Sequence, residues 1–326
     1  MTNPNSKFDL VELLKRYPYD PGRITPNDML YGTDITYACA KKGGGLMVCH
    51  PRYRSQIHPY MATAIAKCVL TMDAWEAAER ENGIASPLIL TADVHPPHHP
   101  GSPDAYRHQD PFSTITRSML DSWTARDLRV PGHTLDQFKR HLDIVPEHTM
   151  HVYTRHGVKG TLDTKVIPEL MNHRAKKIIA SKGNPISPLS GFPAEQYALG
   201  MLDTRESTGD IERWVSEGVK RVFIMGFLAD ICCAWKAYAT RVLSEYTIDV
   251  VYLVDAMISL GVRLTEYDST ETELKQLGLD TRYWIKNDPD CPEPITLEQF
   301  WGAKLRSVGV KFSSVDILYS NMKALL

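Results

Sequence analysis

The stretch that most constrains the fold runs from Val222 to Thr240, Val-Phe-Ile-Met-Gly-Phe-Leu-Ala-Asp-Ile-Cys-Cys-Ala-Trp-Lys-Ala-Tyr-Ala-Thr. Its first residues form a short apolar run after Arg221, the pattern of a strand buried on both faces. Gly226 breaks the run, and the chain resumes with the alanine and aromatic content of a helix. A strand, a tight turn and a helix place the turn at the carboxyl edge of a sheet, where open α/β folds bind ligands. A cysteine in the first helical turn also feels the positive end of the helix dipole, which favours thiolate. The geometry suits a nucleophile. From this stretch alone, Cys232 and Cys233 read equally well as ordinary buried thiols.

The surrounding pattern is that of an α/β protein. Gly43 to Pro51 predicts the first core strand, opened by glycines and stopped by Pro51. His58 to Asn82 has helical spacing through Met61, Ile65, Cys68, Val69, Met72, Trp75 and Ala78. Pro87 to Asp93 predicts a second buried strand. Strand, helix and strand at this length make a crossover unit with parallel pairing. Further strands are expected at 150–153, 176–183, 249–256 and 308–312. Helices are expected at 112–124, 135–142, 193–202, 210–218, 297–306 and 315–322. Residues 1–40 read as an N-terminal extension with a short amphipathic helix from Phe8 to Tyr17. Residues 41–326 read as a single domain with insertions at about 103–150 and 262–296.

The second strand runs into Asp93-Val-His95-Pro-Pro-His98-His99. An aspartate and a histidine two apart on extended backbone point the same way, and both are ligands for a divalent metal. A solvated polar loop is the competing reading. With 43% hydrophobic residues, 23% charged residues and a formal net charge of -2, nothing suggests electrostatic binding to nucleic acid or to an anionic membrane. No apolar run is long enough to span a bilayer, and the N-terminus lacks the pattern of a secretory signal. Six scattered cysteines fit a reducing compartment, so a cytoplasmic protein is expected. There is no glycine-rich dinucleotide or phosphate-loop signature.

These pieces, in this order, resemble the isochorismatase-like cysteine hydrolases, and nicotinamidases in particular, over about residues 43–261 and the last thirty. Asp93-Val-His95-Pro-Pro-His98-His99 is similar to the family's Asp-Trp-His-Pro-x-x-His. Thr154-Arg155-His156-Gly157-Val158-Lys159-Gly160-Thr161 is similar to its Pro-x-His-Cys-x-x-Gly-Thr. Lys182-Gly183 followed by Leu189-Ser190-Gly191-Phe192 is similar to its lysine-glycine and Tyr-Ser-x-Phe elements. Gly226-Phe-Leu-Ala-Asp230-Ile-Cys232-Cys233 is similar to its Gly-x-x-x-Asp-x-Cys-Val.

The resemblance implies a three-layer αβα sandwich with a mostly parallel sheet of about six strands. It implies Cys232 as nucleophile, Lys182 as the cation beside it, and backbone N–H groups at Ala229 and Cys232 as the oxyanion donors. It implies Asp93, His95 and His156 as ligands of a divalent metal, with His99 as an extra ligand or a partner behind them. Zinc is expected first, with Fe2+ or Mn2+ as alternatives. One departure stands out. Aligning Leu46-Met47-Val48-Cys49-His50 on the family's first strand puts His50 where its catalytic aspartate belongs, and Asp34 reads as too early in the chain. His50 is then the expected proton carrier, since neutral imidazole accepts a thiol proton.

The implied activity is hydrolysis of a C–N bond in a small amide through a cysteine thioester. The alternatives are hydrolysis of a non-amide substrate on the same scaffold, or ligand or partner binding without turnover. Tyr106, Phe112, Trp123 and Tyr153 are candidates for an aromatic pocket wall, although packing is the commoner fate of such residues. A homo-oligomer, dimer or tetramer, is expected.

Overall fold

The computed structural model describes residues 3–41, 44–46, 58–83, 86–95, 98–99, 101–111, 113–130, 134–144, 149–173, 178–182, 205–264, 269–285, 287 and 290–323. The strands are β1 (Asp28–Thr33), β2 (Leu88–Asp93), β3 (Thr114–Thr116), β4 (Thr149–His151), β5 (Ile178–Lys182), β6 (Arg221–Phe227), β7 (Asp249–Ile258) and β8 (Lys311–Ser313). Six of them form one sheet in the order β5-β2-β1-β6-β7-β8, and every pairing in it is parallel.

Alternation along the central strands builds the three layers. Leu30, Phe223, Met225, Val251 and Leu253 face one side, where they pack with Met61, Cys68, Met72 and Trp75 of the helix His58–Asn82 and with Leu318 near the C-terminus. Met29, Tyr31, Val222, Ile224, Val250 and Tyr252 face the other. There they meet Trp214, Ala234, Ala237, Phe300 and Trp301, from the helices Arg205–Ser216, Ala234–Leu243 and Leu297–Ser307. Both faces are covered, as an all-parallel sheet requires. The helix Ala234–Leu243 is braced by Leu297–Ser307, with the Trp235 and Trp301 ring centroids 4.6 Å apart. Among the described residues, no helix is long and apolar enough to cross a membrane.

The sheet's centre corrects the sequence reading. β1 lies inside the segment read as an N-terminal extension, and it is the strand between β2 and β6. The strand expected from Gly43 to Pro51 does not take that place. Residues 44–46 carry no strand, and 47–57 lie outside the described residues. The reason β1 escapes notice is its composition, because Asp28, Gly32 and Thr33 dilute the apolar run. Asp28 is tolerated there through the neighbouring strand. Arg221 Nε donates to Asp28 Oδ1 at 2.9 Å and Nη2 to Oδ2 at 2.6 Å, a forked ion pair at the strand's start.

Two other expectations shift. The strand expected at 150–153 is β4, but it pairs antiparallel with β3 outside the main sheet. Together with the helices Arg117–Ser122 and Leu135–Ile144 it encloses a small core of Tyr106, Ile115, Leu120, Phe138, Leu142 and Val152. The segment 103–150, read from the sequence as an insertion, therefore has a core of its own. The helix expected at 193–202 lies outside the described residues. The insertion at 262–296 packs Leu264, Leu274, Trp284 and Ile295 onto the second face of the sheet.

β1 and β6 run close together at Gly226. Its φ is +119°, and a Cβ there would stand 2.0 Å from the Thr33 carbonyl oxygen. Gly226→Ala is therefore expected to cost about 3 kcal/mol or more, read as a lowered denaturation midpoint. A loss below about 1 kcal/mol would contradict the close pairing of β1 and β6.

Candidate active site

Four neighbouring strands end at one edge of the sheet. β5 ends at Lys182, whose register partner on β2 is Asp93. β1 ends at Thr33, paired with Gly226 of β6, and Asp34 follows directly. β6 leads through a Phe227–Leu228 peptide that is cis into the helical turn Ala229–Cys233. In the order β5-β2-β1-β6, the strand ends thus carry Lys182, Asp93, Asp34 and the Cys232 turn. The side chain of Lys182 is not described, and His50 lies outside the described residues.

The Cys232 turn is held from several sides. Leu228 C=O accepts from both Ile231 N–H (3.2 Å) and Cys233 N–H (3.0 Å). Tyr252 O–H, from β7, donates to the Ala229 carbonyl. Asp230 is fully buried and accepts from Leu260 N–H and Gly261 N–H, each at 3.0 Å, which ties the turn to the loop after β7. Cys233 is buried at the start of the helix Ala234–Leu243, while Cys232 is half-buried. Ala229 and Cys232 both belong to the helical turn that follows β6. Such a turn suits stabilisation of an oxyanion. Burial raises Asp230 to about 7, against the opposing pull of its two backbone donors.

Asp34 was passed over in the sequence and is the carboxylate at the sheet's centre. It is 1% exposed, with a left-handed φ of +49°. Its N–H donates to Thr91 Oγ1 at 3.2 Å, and Thr91 O–H donates back to Asp34 Oδ1 at 3.0 Å. The signal that could have found it is Met29-Leu30-Tyr31-Gly32-Thr33-Asp34, a short apolar run ending in an acid.

The metal ligands expected from the sequence come together. The ligating atoms of Asp93, His95 and His156 lie within 4.8 Å of one another, and all three residues are buried. His95 Nε2 and His156 Nε2 point at the same carboxylate oxygen, Asp93 Oδ2, at 2.8 and 3.2 Å. His156 Nδ1 donates to Thr154 C=O at 2.5 Å, so Nε2 is the nitrogen that could ligate a metal. The two ligand segments are docked by backbone bonds. His95 N–H donates to Gly157 C=O and Lys159 N–H to His95 C=O, both at 2.7 Å. Gly157 has φ +58°, and a Cβ there would come within 2.8 Å of the Asp93 carbonyl oxygen.

Two imidazoles and a carboxylate form a donor set for Zn2+, Fe2+ or Mn2+. The local electrostatics fit a cation. Burial alone would pull His156 down, but Asp93, the Thr154 carbonyl and the Asp34 charge outweigh it and raise it above its usual range. His99 is buried and stacks on His95 with ring centroids 3.9 Å apart, and its Nδ1 accepts from Gly101 N–H at 3.0 Å. It lies beside the cluster of three rather than in it.

The aromatic candidates divide. Tyr106 is 2% exposed and lies in the insertion's core, with Trp123 packed against it at 5.7 Å between centroids. Both serve packing there. Tyr153 stands edge-on to His156 at 6.4 Å, beside the metal ligands. Phe112 lies outside the described residues.

No family model matches the sequence, and no curated protein matches it. Among solved structures, the chain is similar to a nicotinamidase and pyrazinamidase of Acinetobacter baumannii. The TM-score is 0.52 with 15% identity, over 90% of this chain and 99% of that one. A yeast nicotinamidase bound to the inhibitor nicotinaldehyde has a TM-score of 0.47 and 14% identity, over 88% of this chain and 99% of that one. A Pyrococcus horikoshii pyrazinamidase in complex with zinc has a TM-score of 0.45 and 17% identity, over 89% and 99%. The first likeness shows a shared fold, the one that the sequence motifs imply.

Two outcomes are expected. Metal analysis of the purified protein should find about one divalent ion per chain, lost in His156→Ala. A wild-type protein that takes up no divalent metal would contradict the cluster. Asp230 holds a proton in the folded chain that the unfolded chain releases between about pH 4 and about pH 7. Stability contributed by this group therefore falls as pH rises through that window. Melting should show Asp230→Asn gaining on wild type between about pH 4 and about pH 7. A constant difference would contradict the raised value.

Proposed function

We propose that this protein is a metal-dependent cysteine hydrolase that cleaves the C–N bond of a small amide, in the manner of a nicotinamidase. The observation that carries this reading is the order of the strand ends. Lys182, Asp93, Asp34 and the Cys232 turn sit on four adjacent parallel strands at one edge. The fold shared with a nicotinamidase supports it.

In this reading Asp34, rather than His50, takes the proton from Cys232 Sγ. The thiolate attacks the amide carbonyl carbon, and a C–S bond forms as the carbonyl π pair moves to oxygen. Backbone N–H groups of the turn at Ala229 and Cys232 stabilise that oxygen. The pair returns, the C–N bond breaks, and Asp34 passes its proton to the leaving nitrogen, giving ammonia and a Cys232 thioester. Water then attacks the thioester, again losing a proton to Asp34, and the acid leaves as Cys232 recovers its hydrogen. Lys182, from the end of β5, balances the Asp34 charge through the cycle. A divalent ion on Asp93, His95 and His156 supplies, when bound, a fixed positive charge that orients and polarises the substrate. Tyr153, edge-on to His156, is placed to flank a small planar substrate.

An ammonia-release screen over small amides, nicotinamide and pyrazinamide among them, should find turnover that Cys232→Ala lowers on the order of 10³-fold or more. Turnover that survives Cys232→Ala would refute the mechanism. Iodoacetamide near neutral pH should label Cys232 faster than a free thiol.

A further inference from the structure

We propose that Thr91 is a positioning residue for the Asp34 carboxylate, and that β2 thereby fixes the proton carrier and a metal ligand on one rigid ruler. The inference rests on the reading of Asp34 as the proton carrier.

Asp34 is in the left-handed backbone region, which a residue with a side chain enters only at a cost. It lies just past the end of β1, outside the register that pairs that strand with β2 and β6. What the structure offers instead is a reciprocal pair with Thr91. The Asp34 N–H donates to the hydroxyl oxygen at 3.2 Å, and the hydroxyl proton goes to Asp34 Oδ1 at 3.0 Å. The Gly32 carbonyl competes for that proton from 3.5 Å, the longer path. One hydroxyl thus fixes both the backbone of Asp34 and the rotation of its carboxyl group. Thr91 and Asp34 are 2% and 1% exposed, so water does not substitute for either bond.

The position of Thr91 adds the second part. It stands two residues before Asp93 in β2, and residues two apart in a strand share a face. The strand that holds the first metal ligand therefore also holds the proton carrier. A β-strand is stiff, so the separation of the two functions does not depend on a loop. A valine at 91 has the same shape and leaves the strand intact, but it can neither accept from the Asp34 N–H nor donate to its carboxylate.

The test compares Thr91→Val, Thr91→Ser and Asp34→Asn with the Thr91→Val/Asp34→Asn double variant, using the amide found in the screen. Thr91→Val should lower kcat about 10- to 100-fold with KM within about threefold. Thr91→Ser, which keeps the hydroxyl, should stay within about threefold of wild type. In the Asp34→Asn background, Thr91→Val should cost less than about threefold, because the group it positions is gone. The rate of Cys232 alkylation follows the same pattern without any substrate. Thr91→Ala serves in place of Thr91→Val if the valine variant does not fold. A slow Asp34→Asn with Thr91→Val at the wild-type rate would overturn this inference alone, as would Thr91→Ser falling as far as Thr91→Val. Asp34→Asn at the wild-type rate would overturn the proton-carrier reading and this inference with it.

Discussion

The site depends on how closely β1 and β6 run together. Their pairing is unbroken from Asp28 with Arg221 to Thr33 with Gly226. At one end, the Arg221 fork on Asp28 admits a carboxylate into the sheet. At the other, the missing side chain of Gly226 lets the Thr33 carbonyl approach to a distance no other residue permits. Only past that contact do the chains diverge, β1 into Asp34 and β6 into the Cys232 turn. A slip of one residue would turn every core side chain of β1 to the wrong layer. The register that builds the core is therefore the register that places the site.

The same edge gathers carboxyl groups. Asp34, Asp93 and Asp230 are each 4% exposed or less. Burying carboxylates is costly unless each is hydrogen-bonded or paired. Asp230 meets two backbone N–H groups, Asp34 meets Thr91, and Asp93 meets two imidazoles. Asp93, the Thr154 carbonyl and the Asp34 charge raise His156 above its usual range against the pull of burial. A divalent ion on the Asp93 cluster answers these groups more fully than a proton.

Much of this was legible in the sequence, and the limits have physical causes. The run Val222 to Thr240 shows strand, turn and helix because its apolar stretch is pure and Gly226 ends it. The cluster of Asp93, His95 and His156 was legible because a metal site would need these residue types beside a strand end. β1 was not, because a central strand usually reads as a continuous apolar run. This one carries Asp28, Gly32 and Thr33, and their partners, Arg221 and Gly226, lie nearly two hundred residues away. With β1 diluted in this way, Gly43 to Pro51 reads as the first core strand from the sequence alone. Tyr106 and Trp123 were misjudged for the ordinary reason that exposure cannot be read from residue type, and both pack in the insertion.

The choice between Asp34 and His50 is the centre of this account, and one comparison decides it. Steady-state kinetics of Asp34→Asn and His50→Asn, on the same amide and at the same metal content, separate the two carriers. If Asp34 carries the proton, Asp34→Asn loses on the order of 10² to 10⁴ in kcat while His50→Asn stays within about tenfold of wild type. The reverse pattern, with His50→Asn inactive and Asp34→Asn near wild type, would contradict the account.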